Sequence, residues 1–180
     1  MSDERSSNPL LRERESTGPL TRFLAEDHRR LDGLLHKAVA HTHQVDGAAY
    51  DQFRAGLLRH IGMEEKILLP AVQRLRGGEP LSVAAKLRLD HGALAALLMP
   101  TPTAAIIATI HHILAGHNAL EEGGEGLYAL CDELAGPEAE LLMARFLAAP
   151  EVKVMAHNDS QAVMTTVRRA LERAGYAAEL

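Results

Sequence analysis

The chain carries little aromatic material: three Phe, three Tyr and no Trp in 180 residues. A core of the size this length allows must therefore be built from Leu, Ala, Ile, Val and Met, a mix that favours helices over strands. The single cysteine, Cys131, excludes an intrachain disulfide and fits a reducing compartment. No apolar run is long enough to span a bilayer, and residues 1–15 lack the apolar centre of a signal peptide. A net charge of −5 without a basic run offers nothing to nucleic acid or to an anionic membrane surface. No glycine-rich loop follows a strand pattern, no serine elbow is present, and the cysteine has no identifiable base. The expectation is one soluble, cytoplasmic domain for which binding is favoured over turnover, with an enzymatic role left open.

Histidine is what the chain does have. Four of its ten, His28, His60, His91 and His117, fall about once per predicted helix. His60 is followed one helical turn later by Glu64, and His117 by Glu121; residues so spaced share a helix face, about 40° apart. With 24 acids in 180 residues, ten histidines should meet an acid four residues on about once by chance. Three do, His28 with Asp32 being the third. The excess is small, and the placement on four successive helices is the stronger signal. Packed around one axis, those helices bring together four ring nitrogens and two carboxylates, a set that suits a pair of transition-metal ions.

Residues 1–18 show no periodicity and read as a mobile arm. Thr21 is placed to cap a first helix with Phe23, Leu24, Leu31, Leu34 and Leu35 on its apolar side, fading near His43. A second helix is expected over 48–75 with a kink at Pro70, a third over 81–98, and a fourth over 104–134 that crosses Gly123-Gly124-Glu125-Gly126. Short connections imply antiparallel neighbours, hence an all-α, up-down-up-down four-helix bundle over 19–136. Rise per residue puts His28, His60 and His91 near one level, whereas His117 fits a few residues less well. Beyond the bundle, 137–180 form a C-terminal helical extension: a short helix over 137–149, an extended piece over 150–155 and an amphipathic helix over 160–174. The apolar stripe of that last helix, Val163, Val167 and Leu171, must cover the bundle or a second copy of the chain in a homodimer.

The segments Asp27-His28-Arg29-Arg30-Leu31, His60-Ile61-Gly62-Met63-Glu64-Glu65, Asp90-His91 and His117-Asn118-Ala119-Leu120-Glu121-Glu122 together resemble the hemerythrin-like, HHE cation-binding family. The likeness runs over about 20–135. It implies a four-helix bundle holding two Fe ions as an oxo- or hydroxo-bridged, non-haem di-iron centre. His28, His60, His91 and His117 would be terminal ligands, and Glu64 and Glu121 the bridging carboxylates. The implied function is binding or sensing of O2 or a related small ligand. Alternatives are a redox enzyme acting on peroxide or nitric oxide, and an iron- or oxygen-responsive regulator. Two departures stand out. O2-carrying members have a fifth histidine one turn beyond the first on the third helix, where this chain has Ala95. Relative to the His60 segment, two extra residues follow Glu121, and a π-bulge or break at Gly123, Gly124 and Gly126 leaves Glu122, or less so Glu125, as rivals for the second bridge.

Two octahedral irons offer about twelve positions, and the histidines, carboxylates and a bridge fill about ten. Asp32 could take one of the rest, orient a ligand, or stay in water. Glu65 and Glu122 read as solvated or as outer hydrogen-bond partners, Asp27 and Asp90 as exposed acids in preference to an orienting role for the histidines they precede, and Tyr128 as core with a possible bond to a bridging group. His111 and His112 point roughly 120° and 140° away from His117 and are expected at the surface with His36, His41, His43 and His157.

Overall fold

The computed structural model describes residues 18–40 and 45–177. The N-terminal arm, His41 and His43 lie outside the described residues, among which there is no strand. Helix α1 spans Pro19–Ala38. It begins before Thr21, at Gly18, with proline in the first turn, where a missing N–H costs nothing. Its cap comes from across the molecule: the Asp132 carboxylate accepts the backbone N–H of Leu20 at 3.0 Å and of Thr21 at 2.9 Å, and the Thr21 hydroxyl at 2.6 Å. Thr21 thus donates to a distant cap instead of capping the helix itself. A Cβ on Gly18 would meet Asp132 at 2.1 Å, so the close approach requires glycine. The helix also ends sooner than expected, at Ala38, where the N–H groups of Val39 and Ala40 turn back to the carbonyls of His36 and Lys37.

Asp46 caps α2 (Gly47–Met63), its side chain accepting from the N–H groups of Ala48 and Ala49. Where one kinked helix was expected, the chain passes through a π-helical segment, Glu64–Leu68, into α3 (Leu69–Leu75). Pro70 explains the change, because it cannot donate to the carbonyl four residues back. The wider turn takes up the mismatch: the N–H of Leu69 reaches the carbonyl of Glu64, five residues back. Helix α4 (Ala84–Leu97) starts three residues later than the pattern suggested, after a turn closed by Ala84 N–H on Leu81 O. Thr103 caps α5 (Ala104–Glu122) through Ile106 N–H.

The fourth expected helix is two. After Glu122 the glycine stretch breaks the helix, and α6 (Leu127–Ala135) restarts beyond it. A Cβ on Gly126 would stand 2.4 Å from the carbonyl oxygen of Glu121, so the break depends on a bare backbone. A 3-10 turn (Gly136–Glu138) leads to α7 (Ala139–Leu147), and α8 (Gln161–Ala174) is capped by Ser160. The non-helical run between them is pinned by α2: Arg59 donates to Ala149 O and Phe146 O, and Arg54 to Met155 O and Leu98 O.

Two aliphatic clusters fill the interior. One holds Leu31, Leu35, Phe53, Leu57, Leu94, Leu97, Ile110 and Ile113; the other Leu20, Leu24, Met63, Leu68, Leu87 and Leu127. Along each helix the histidine level lies between them, so water is excluded from both directions. The extension completes both clusters within the same chain. Val167, Ala170 and Leu171 of α8 enter the first, and Leu142 and Phe146 of α7 the second, Phe146 stacking on Phe23 at 5.7 Å. The apolar stripe of α8 therefore lies on its own bundle, against α4.

Candidate metal centre

His28 comes from α1, His60 from α2, Glu64 from the start of the π-helical segment, His91 from α4, and His117 and Glu121 from α5. All six are buried, the two carboxylates completely. They form two overlapping groups, His28–His60–Glu64–Glu121 and Glu64–His91–His117–Glu121, with candidate ligand atoms within 4.8 Å of one another in each. Both carboxylates belong to both groups, and each divides its oxygens between them. Glu64 Oε1 lies 3.3 Å from His60 Nε2 and Oε2 lies 3.1 Å from His91 Nε2. Glu121 Oε2 lies 3.5 Å from His28 Nε2 and Oε1 lies 3.2 Å from His117 Nε2. The six residues singled out in the sequence are thus brought together, the level of His117 included: its Nε2 is 3.1 Å from that of His91.

A second ring of acids stands outside the first. His28 Nδ1 is 2.5 Å from Glu122, His60 Nδ1 2.9 Å from Asp27, His91 Nδ1 2.7 Å from Glu65, and His117 Nδ1 3.5 Å from Asp90. In every case the acid belongs to a different helical segment from the histidine, and the pairings close a circuit around the bundle. Asp90 is the loosest partner to its ring, and its other oxygen is held by Lys86 Nζ at 2.6 Å. A ring that gives its Nδ1–H to an acid turns the Nε2 lone pair inward, which fixes both tautomer and orientation.

The exposed positions expected for Asp27 and Asp90 are therefore corrected: Asp90 is fully buried and the Asp27 side chain is only 11% exposed. A residue next to an inward-pointing histidine lies about 100° round the helix. In a bundle that direction is the seam with the neighbouring helix, not solvent. Glu122 is such an outer partner, and Glu121 holds the inner position. Asp32, by contrast, has a side chain 61% exposed that faces His36, so it takes no part in the cluster. His36 and His112 are exposed, but His111 is half-buried with its ring 5.3 Å from that of His36, and His157 is half-buried beside Tyr50.

Tyr128 is the residue whose role the sequence understated. The break after Glu122 lets α6 carry its phenol into the centre. The oxygen lies 3.1 Å from His28 Nε2, 3.3 Å from His60 Nε2 and 3.1 Å from Glu121 Oε2, and the hydroxyl donates to Glu64 Oε1. A signal was present in the apolar sequence around Tyr128, Leu127 before it and Ala129, Leu130 and Cys131 after it, directly behind the glycine stretch.

The electrostatics describe a site that draws positive charge. Burial disfavours the imidazolium of His60, yet the Glu64 charge and the bond to Asp27 outweigh it, and its pKa rises to about 10. Burial likewise opposes charge on His117, but the neighbouring Asp90 and Glu121 carboxylates raise it to about 9. Burial also opposes ionisation of Glu64, but the His60 charge and the close approach of the His60 and His91 rings hold it well below the carboxylate range. Burial and the Glu64 charge push Glu121 up. The donor set fits a metal on the structure's own terms. The buried Glu64 Oε2 and Glu121 Oε1 have no hydrogen-bond partner, and two inward-facing ring nitrogens meet at 3.1 Å. Cations between these atoms satisfy all of them at once.

A helical bundle whose interior gathers four histidines around two shared carboxylates defines a class of cation-binding helical protein. The family model of the hemerythrin HHE cation binding domain matches residues 20–124, and the chain belongs to that family. Comparison with curated proteins and with solved structures returns no match. No helix among the described residues is long and apolar enough to cross a membrane.

Proposed function

We propose that the chain holds two iron ions, one at each histidine pair, and uses them to bind or sense O2 or a related small ligand. The observation that carries this reading is the division of Glu64 and Glu121 oxygens between the pairs, which a single-ion site has no use for. The mixed imidazole and carboxylate set suits iron, and thiolates are absent from it. Two ferrous ions would supply exchangeable electrons and coordination positions that the protein leaves open. The protein does the rest. Asp27, Glu65, Asp90 and Glu122 stand at the outer edges of the imidazoles and orient them, and the aliphatic clusters exclude water.

The test is anaerobic loading with ferrous iron, metal analysis, and oxygen uptake on exposure to air. Two irons per chain and oxygen uptake reversed by deoxygenation are expected. One iron or none would sink the two-ion reading; irreversible consumption would sink the carrier version in favour of redox chemistry on O2 or peroxide.

One observation favours a regulatory reading as a second. Lys86 Nζ bonds Asp90, the acid facing His117, and also Ala174 O at 3.1 Å and the Tyr176 hydroxyl at 3.0 Å. The end of α8 is thereby tied to a candidate ligand. Iron should then slow proteolysis of residues 137–177, and identical digestion with and without iron would remove this reading.

A further inference from the structure

Resting on the two-ion reading, we infer that Tyr128 is itself a ligand, its phenolate oxygen completing the coordination of the ion held by His28 and His60. Ligands at about 2.1 Å from an octahedral ion stand about 3.0 Å from their cis neighbours, the bond length times √2. The Tyr128 oxygen keeps that spacing from three donors of the His28–His60 group: 3.1 Å to His28 Nε2, 3.3 Å to His60 Nε2 and 3.1 Å to Glu121 Oε2. It also contacts the fourth, Glu64 Oε1. A side chain that merely bonded a ligand from outside would approach one of these atoms, not all four.

The phenol is fully buried and reaches the centre only because the Gly123–Gly126 break redirects α6. Both the tyrosine and its helix lie beyond the residues that match the family model, 20–124. In the metal-free protein the oxygen keeps its proton and donates it to Glu64. Coordination replaces that proton with the metal and releases it to solvent, as with other hard oxygen donors on a highly charged ion.

The assignment changes where the centre is open. Ala95 stands on α4 with His91, so the histidine that O2 carriers have there would serve the His91–His117 ion. Here the added ligand serves the opposite ion. Of the two positions that histidines, carboxylates and a bridge leave unfilled, Tyr128 takes one on the His28–His60 ion. The other remains with the His91–His117 ion.

Ferric phenolates absorb in the visible by charge transfer and show enhanced tyrosine ring vibrations in resonance Raman spectra. The full-length protein, loaded with ferrous iron and oxidised, should show both, and the ring modes should shift when the protein is grown on ring-deuterated tyrosine. Tyr128→Phe should keep two irons and lose the band, whereas Tyr50→Phe and Tyr176→Phe should keep it. Two irons without ring modes in the wild type, or a band that survives in Tyr128→Phe, would overturn ligation by Tyr128 while leaving the two-ion centre standing. A wild type that takes up no iron defeats the centre and the ligand together. Should Tyr128→Phe fail to take up iron, the wild-type ring modes decide: present, with the deuterium shift and retained in both control variants, they support the assignment; absent, they overturn it.

Discussion

Glu64 and Asp32 both stand four residues after a histidine, yet they differ in what removing them should do. Glu64 is fully buried and offers one oxygen to each histidine pair, whereas Asp32 stands in solvent beside His36. Glu64→Ala should abolish two-ion binding, and Asp32→Ala should leave the metal content unchanged; a Glu64→Ala protein that still holds two irons would contradict the bridging role. The outer acids act at one remove. Asp27 holds the His60 ring by Nδ1; burial works against its own charge, but His60 and Arg30 keep its pKa down at about 2. Asp27→Ala should weaken iron binding by roughly 10- to 100-fold without changing the number of ions bound. Competition with a ferrous chelator measures this, and an unchanged affinity would show that packing alone orients His60.

At the scale of elements, two irregularities place the site. The π-helical segment starting at Glu64 lets Glu64 and Glu65 approach opposite edges of the His91 ring, Glu64 at Nε2 inside the centre and Glu65 at Nδ1 outside it. The break at Gly123–Gly126 aims α6 so that Tyr128 enters the centre and Asp132 caps α1. The glycines here are not equivalent. A Cβ at Gly126 would collide with the Glu121 carbonyl at 2.4 Å, while one at Gly124 would meet nothing within 4 Å. Gly126→Ala should therefore cost about 1–3 kcal/mol and weaken metal binding through displaced α6, and Gly124→Ala should be close to neutral. Urea unfolding of the two variants, side by side, checks the difference; equal stabilities would mean the junction yields without strain.

Over the whole molecule, metal and protons compete for one buried cluster. His60 and His117 have folded-state pKa values raised to about 10 and about 9, so in the metal-free protein their protonation stabilises the fold fully below about pH 6.5. That contribution is lost as pH rises through 9 and 10. Iron needs the same rings deprotonated, so its affinity should climb as pH rises toward 9 and 10 and level off above. Iron at a hundred times its dissociation constant adds about 2.7 kcal/mol. The melting-temperature gap between anaerobic ferrous and metal-free protein should thus be widest near pH 9 and shrink steadily toward pH 6. A gap that is flat from pH 9 down to about 7 and falls only near pH 6 would mean the rings titrate at their ordinary values.

The all-helical class, the four histidines and the two carboxylates four residues after two of them were legible in the chain, because local periodicity and residue type decide them. An aliphatic composition without disulfides can bury itself only as packed helices, and a histidine on an apolar face has to find a polar partner inside. What the chain could not show were relations between residues far apart along it. Asp132 caps a helix that begins more than a hundred residues earlier, and Asp27 and Asp90 face seams that exist only once two helices lie side by side. The same holds for Tyr128: its spacing from Glu121 says little, because a helix break removes the fixed angle per residue on which spacing arguments depend. Only packing of the segments on both sides of that break sets where the phenol goes, and with it, under the proposed ligation, which ion would be left open.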